Sequence, residues 1–189
     1  MLGLLAALSA SAAAGMRIAL PLLVIGLLQN EKLWNSVPIL SNIQPPVLLG
    51  ILTSWSLFEL FASKKLLGQR VLQIVQLILS PVVGAIVGIT VAKHAAVPFQ
   101  LHWLIGIIGG LLALVLQLVQ VGWFYRLRGI PIWVVCMEDI LCVALVFFAF
   151  KAPASGGLIA MILLWLAIRS SAEWYRWYKE GKKRGMTIE

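Results

Sequence analysis

Six long apolar runs, separated by short polar breaks, dominate this chain and leave it few folds to choose from. They read as Leu2 to Leu28, Pro46 to Ala62, Val71 to Ala92, Leu101 to Tyr125, Ile132 to Phe150 and Leu158 to Tyr178. A membrane helix needs roughly 20 mainly apolar residues, because hydrocarbon offers backbone N–H and C=O groups no water and they must satisfy one another. The composition agrees, with 61% of 189 residues hydrophobic, 12% charged and a mean hydropathy of +0.99. Soluble domains carry about 25% charged residues. The expected fold is therefore all-α and polytopic, a bundle of six transmembrane helices forming one domain over residues 1–178, with a basic cytoplasmic tail at 179–189.

The breaks carry turn chemistry: "SKKLLGQR", "KHAAVP", "RLRGIP" and "KAPASGG". Only the first, "QNEKLWNSVPILSNIQPP", is long, and its Trp34, Val37, Ile39 and Leu40 point to an interfacial segment. The apolar start followed by Ala10, Ser11 and Ala12 has the look of a cleaved secretory signal, but it lacks a basic n-region. Cleavage would also leave about 12 apolar residues, too few to span. Retention of the segment is expected.

The net charge of +8 raises the question of nucleic acid, yet the basic residues lie between apolar runs or in the tail, as membrane anchors do. No nucleic-acid partner is expected. Eleven basic residues (Lys64, Lys65, Arg70, Arg126, Arg128, Arg169, Arg176, Lys179, Lys182, Lys183 and Arg184) fall on the side that both termini share, against Lys32, Lys93 and Lys151 on the other. Cationic loops stay in the cytoplasm, so both termini are expected there, in a bacterial inner membrane or a thylakoid membrane. Trp165, Trp174, Tyr175, Trp177 and Tyr178 form an interfacial belt, and the basic tail beyond can attract anionic lipid.

Arg17 alone has no loop to occupy. A guanidinium in hydrocarbon costs at least ~2.5 to 3.5 kcal/mol, so it should face the bundle interior and find an acid. It lies about 22 Å along its segment, and helical side chains tilt toward the N-terminus, which aims Arg17 and Glu59 at each other. Glu59 is the first expected partner; Glu138 or Asp139 is the second. "SASAAAGMR" ends a run of small residues at Gly15, and Pro21 follows Arg17 by four, so the first helix is either interrupted near Gly15 or continuous with a proline kink.

More polar residues gather at that depth. Gln69, Gln73, Gln76, Ser80, Gly84 and Gly88, spaced 4, 3, 4, 4 and 4, share one helix face, and Gln117 and Gln120 lie on the next run. Arg17, Glu59, Gln73, Gln76, Gln117, Gln120, Glu138 and Asp139 are thus the candidate pathway residues. They form either a water-accessible solute route or interhelical glue, with the small residues merely permitting close approach.

Other chemistry finds little support. Cys136 and Cys142 read as buried apolar filler, and His94 and His102 lack ligand-spaced companions, so no metal or cofactor is expected. No phosphate loop, nucleophile elbow or zinc-protease motif appears, and the chain is not expected to be an enzyme.

Taken with these residues, "AGMRIALPLL", "SLFELFASK", "VLQIVQLILSPVVGAIVG" and "MEDILCVALVFFAFKAP" make the chain resemble the bacterial membrane family catalogued as domain of unknown function 4126, over most of residues 1 to 168. Gly15, Arg17, Pro21, Glu59, Pro81, Gly84, Glu138 and Asp139 match that family's pattern; Ser80 stands where it implies a basic residue and Cys136 where it implies a serine. The resemblance implies no activity. The expected function is binding or permeation of a small polar or ionic solute; the alternative is an accessory subunit packing on a larger membrane complex or on further copies of itself.

Overall fold

The computed structural model describes residues 2–29, 44–62, 66–127 and 131–185, and within them every regular element is helical. In chain order these are α1 (Leu2–Met16), α2 (Ala19–Gln29), α3 (Pro45–Ala62), α4 (Leu66–His94), a single 3-10 turn (Phe99–Leu101), α5 (His102–Leu127), α6 (Ile132–Lys151) and α7 (Pro153–Gly185). The first connection with Trp34, the residues Lys64, Lys65 and Arg128, and the side chains of Gln69 and of the aromatic belt beyond Trp165 lie outside what is described.

Among the described residues four helices, those containing Arg70–His94, Phe99–Phe124, Trp133–Lys151 and Pro153–Ala172, are long and apolar enough to cross a membrane. Leu2–Met16 and Pro46–Glu59 are shorter apolar helices. The outer faces are as oily as a bilayer requires: Ile74, Ile78 and Val82 on α4, Met137 and Ile140 on α6, and Leu158 and Met161 on α7 are all exposed. A water-soluble protein would bury such continuous faces.

α1 is the axis of the bundle, packed against α4, α5, α6 and α7. Its sequence explains this. Alanine loses no side-chain entropy on entering a helix, and a helix of small side chains lets neighbours approach from every side. All residues from Ser9 to Met16 are buried. Ser9 Oγ donates to Leu145 O at 2.7 Å and Ser11 Oγ donates to Gly84 O at 2.9 Å, tying the axis to α6 and α4.

The α4–α5 turn closes by a Schellman motif, in which Val97 N bonds Ala92 O at 3.0 Å and Ala96 N bonds Lys93 O at 3.1 Å. Ala96 holds the left-handed position, with φ of 52°.

Two expectations need correcting. "KAPASGG" is not an extended turn: only Ala152 separates α6 from α7, and Pro153 opens the new helix, where a missing N–H costs nothing. Gly156 and Gly157 lie inside α7 because a Cβ there would stand 2.5 Å from Ser9 Oγ and 2.6 Å from Leu5 Cβ, respectively. Their absent side chains serve packing, not turning. Cys142 is buried, as expected of filler, but Cys136 is exposed near the start of α6.

Candidate functional site

The first apolar run is interrupted. α1 ends at Met16, Arg17 and Ile18 are non-helical, and α2 starts at Ala19. Gly15 lies in the last turn of α1, where a Cβ would stand 2.7 Å from Ala113 Cα on α5, so this turn is pressed against a neighbouring backbone. Pro21 falls in the first turn of α2, where no intrahelical acceptor awaits its missing N–H, and it starts a helix rather than kinking one. Arg17 N still donates to Ala13 O at 3.1 Å, closing α1.

From this break the Arg17 side chain, 5% exposed, turns toward α6. Its Nε donates to Asp139 Oδ1 at 2.7 Å. The first expected partner, Glu59, is therefore replaced by the second. The N-terminal tilt that aimed Arg17 at Glu59 belongs to helical residues, and Arg17 is not in a helix. Moreover α6 packs on α1 and α2 alike, whereas α3 packs on α2 and α4. The acid on the helix flanking the break receives the guanidinium.

Glu59, only 2% exposed, is held differently. Its Oε1 accepts from Trp55 Nε1 at 2.9 Å, one turn earlier on α3, and from Gln76 Nε2 of α4 at 3.3 Å. Gln76 Oε1 in turn accepts from Gln117 Nε2 of α5 at 3.4 Å. Three helices thus contribute to a line of amides whose donors point toward one carboxylate. Gln73, a turn before Gln76, is buried, and Gln120, a turn after Gln117, is half-buried.

Glu138 lies within electrostatic reach of Arg17, Asp139 and Glu59, so the four charged groups form one cluster. Glu59 Oε2 and Glu138 Oε1 are both buried and without a hydrogen-bond partner among the described residues, as is Ser80 Oγ. Such orphans are rare in folded proteins and call for an explanation.

The charge spacing does not point to Trp55 or Cys142. Trp55 could be found from its i,i+4 placement before Glu59; it also lines an open groove of about 550 Å³ along α3, with Val47, Gly50, Ile51, Ser54 and Phe58. Cys142 brings Sγ to 3.5 Å from Ala13 O, beside the end of α1. Nothing in the sequence marks that approach. Ser80, Gly84 and Gly88 divide by role: a Cβ on Gly88 would stand 2.6 Å from Ser11 Oγ, so the glycines admit α1, while Ser80 sits fully buried between them and the glutamines.

The histidines stand apart from the cluster. His102 Nε2 pairs with Val97 O at 3.0 Å, and His94 packs edge-on to Phe150. Among the described residues no group of three or more His, Cys, Asp or Glu is placed to hold a metal ion.

An all-helical fold with lipid-like outer faces and a buried ion cluster defines an integral membrane protein. Residues 4–173 match the model of the family described as Domain of unknown function (DUF4126), and the chain belongs to that family. No curated protein and no solved structure matches it.

Proposed function

We propose that the protein binds and passes a small polar or ionic solute at the cluster gathered around the α1–α2 break. The observation that carries this reading is the placement of the Arg17–Asp139 pair at an interrupted helix, beside two carboxyls that each keep an oxygen unpartnered among the described residues. Broken helices that free backbone groups next to intramembrane charges are the binding elements of many transporters. Ion pairs that serve only as glue offer little net stability after desolvation, and a fully satisfied network would suit that role better.

In this reading α1 and α2 together make one discontinuous span, α3 to α7 make five more, and both termini face the cytoplasm of a bacterial inner or thylakoid membrane. The basic tail rests on anionic lipid, and the protein is not an enzyme. The accessory-subunit alternative needs small-residue faces turned outward to a partner. Those of α1, α4 and α5 are spent inside the bundle, where Gly84, Gly109 and Ala113 surround Ser11 and Gly15.

Proteoliposomes holding the purified chain test the proposal by stopped-flow swelling in small neutral solutes and in alkali-metal salts. Arg17→Ala and Glu59→Gln should each slow the swelling that wild type supports. Rates unchanged in both variants overturn the proposal.

A further inference from the structure

Resting on that reading of the cluster, we infer that the species it exchanges is the proton, with Glu59 and Glu138 as the titrating carriers and the Arg17–Asp139 pair as their fixed electrostatic support.

The charge count comes first. One guanidinium faces three carboxyls, and Asp139 already holds it at 2.7 Å. Arg17 is the one cation among the described residues that acts on both Glu59 and Glu138. Among the described residues of the other elements, α2 has no ionisable side chain, Arg169 of α7 lies over the Trp165 ring, and Arg70, Lys93, Arg126 and Lys151 at the helix ends are exposed. Among the described residues two carboxyls therefore lack a dedicated counter-charge in a low-dielectric interior. Such a site repels anions and attracts a compensating positive charge.

Geometry then chooses among cations. A metal ion takes several oxygens at once, and no group of three or more acidic, His or Cys donors is placed to supply them among the described residues. A proton needs a single oxygen. Glu59 offers one: Trp55 and Gln76 both donate to Oε1, which fixes the carboxylate and leaves Oε2 buried and open. Glu138 offers the other at Oε1. Each orphan acceptor becomes an O–H once protonated, and the neutral acid no longer burdens the interior.

The step balances without a redox partner. A hydronium ion gives its proton to Glu59 Oε2 or Glu138 Oε1, one O–H bond breaks as another forms, neutral water leaves, and the carboxylate becomes a carboxylic acid. Release on the opposite side reverses the step. Trp55 and Gln76 keep Glu59 Oε1 occupied meanwhile, so protonation of Glu59 falls on Oε2. The Arg17–Asp139 pair, fixed at 2.7 Å, sets the field around the two glutamates.

The test uses vesicles of the full chain with an internal pH dye and an imposed potassium diffusion potential. Wild type should acidify the lumen faster than protein-free vesicles, and Glu59→Gln and Glu138→Gln should each lower that rate about tenfold or more while eluting as folded, helical protein. Wild-type rates equal to protein-free vesicles, or folded variants with undiminished rates, overturn the inference. Infrared difference spectra of wild type across pH give a second reading that does not depend on variants folding: a protonated-carboxyl carbonyl band supports the inference and its absence overturns it. Swelling assays in the same vesicles separate the two claims. Arg17-dependent solute flux without proton flux keeps the proposed function and removes the proton; loss of both removes both.

Discussion

Ser11 donates its hydroxyl to the carbonyl oxygen of Gly84 across 2.9 Å, and this bond exists because neither helix carries a side chain large enough to prevent it. Gly109 closes the same contact from α5, where an added Cβ would run into the Ser11 hydroxyl. Three backbones meet here. The axial helix that positions the α1–α2 break thus reaches its neighbours' backbones through small residues, while its alanines join the same apolar core as Val87, Leu112 and Leu145.

Gly84→Ala should therefore cost stability. Its Cβ would collide with the Ala113 methyl and lie 2.9 Å from Gly109 O, and overpacking of this kind costs about 1 to 3 kcal/mol. Gly50→Ala on α3 is the control, since nothing lies within 4 Å of the added atom. Thermal unfolding in detergent should show a lower midpoint for the first and an unchanged or slightly higher one for the second.

Ala96→Gly should stabilise the α4–α5 turn. A left-handed alanine costs roughly 1 to 2 kcal/mol, and the flexibility that glycine adds to the unfolded chain returns only about 0.5 to 1 kcal/mol of that. The exposed Cβ makes no compensating packing. A small rise in the unfolding midpoint is expected, and Ala96→Val, with a β-branched side chain at φ of 52°, should lower it.

The two cysteines should separate by reactivity. Cys136 is exposed and Cys142 is buried against Ala13. N-ethylmaleimide, which enters membranes, should label one thiol in the folded protein and two after denaturation, read by intact mass. Labelling of Cys142 in the native state would show that the end of α1 opens.

The long helices are legible in the sequence because a bilayer demands length and apolarity that can be counted. The runs at Val71 to Ala92 and Ile132 to Phe150 fall inside α4 (Leu66–His94) and α6 (Ile132–Lys151). The interruption at Arg17 is not legible in the same way, since "SASAAAGM" suits a continuous helix equally well; tertiary contact at Gly15 accompanies the break. "KAPASGG" misleads for a related reason. Glycine signals a turn or a close approach with the same letter, and only the presence of Ser9 and Leu5 opposite Gly156 and Gly157 distinguishes them. The charged residues are found readily, because hydrocarbon makes each one conspicuous. Their pairing is not, because it depends on which helix flanks the break.

That pairing yields the sharpest test. Arg17 is 5% exposed and bonds Asp139 directly, so removing Asp139 strands a buried guanidinium, at a cost of up to about 3 to 5 kcal/mol where such pairs have been broken, while removing Arg17 leaves a half-buried carboxylate and costs less. Arg17→Met combined with Asp139→Asn removes both charges, and the double variant should be less destabilised than the two single costs predict, with a coupling of about 1 to 3 kcal/mol. Arg17→Met combined with Glu59→Gln should couple more weakly, because Glu59 bonds Trp55 and Gln76 and meets Arg17 only through the field. Unfolding midpoints of the five variants and wild type in one detergent supply both cycles. A stronger coupling to Glu59 than to Asp139 would move the ion pair to α3 and require the break to face the opposite side of the bundle.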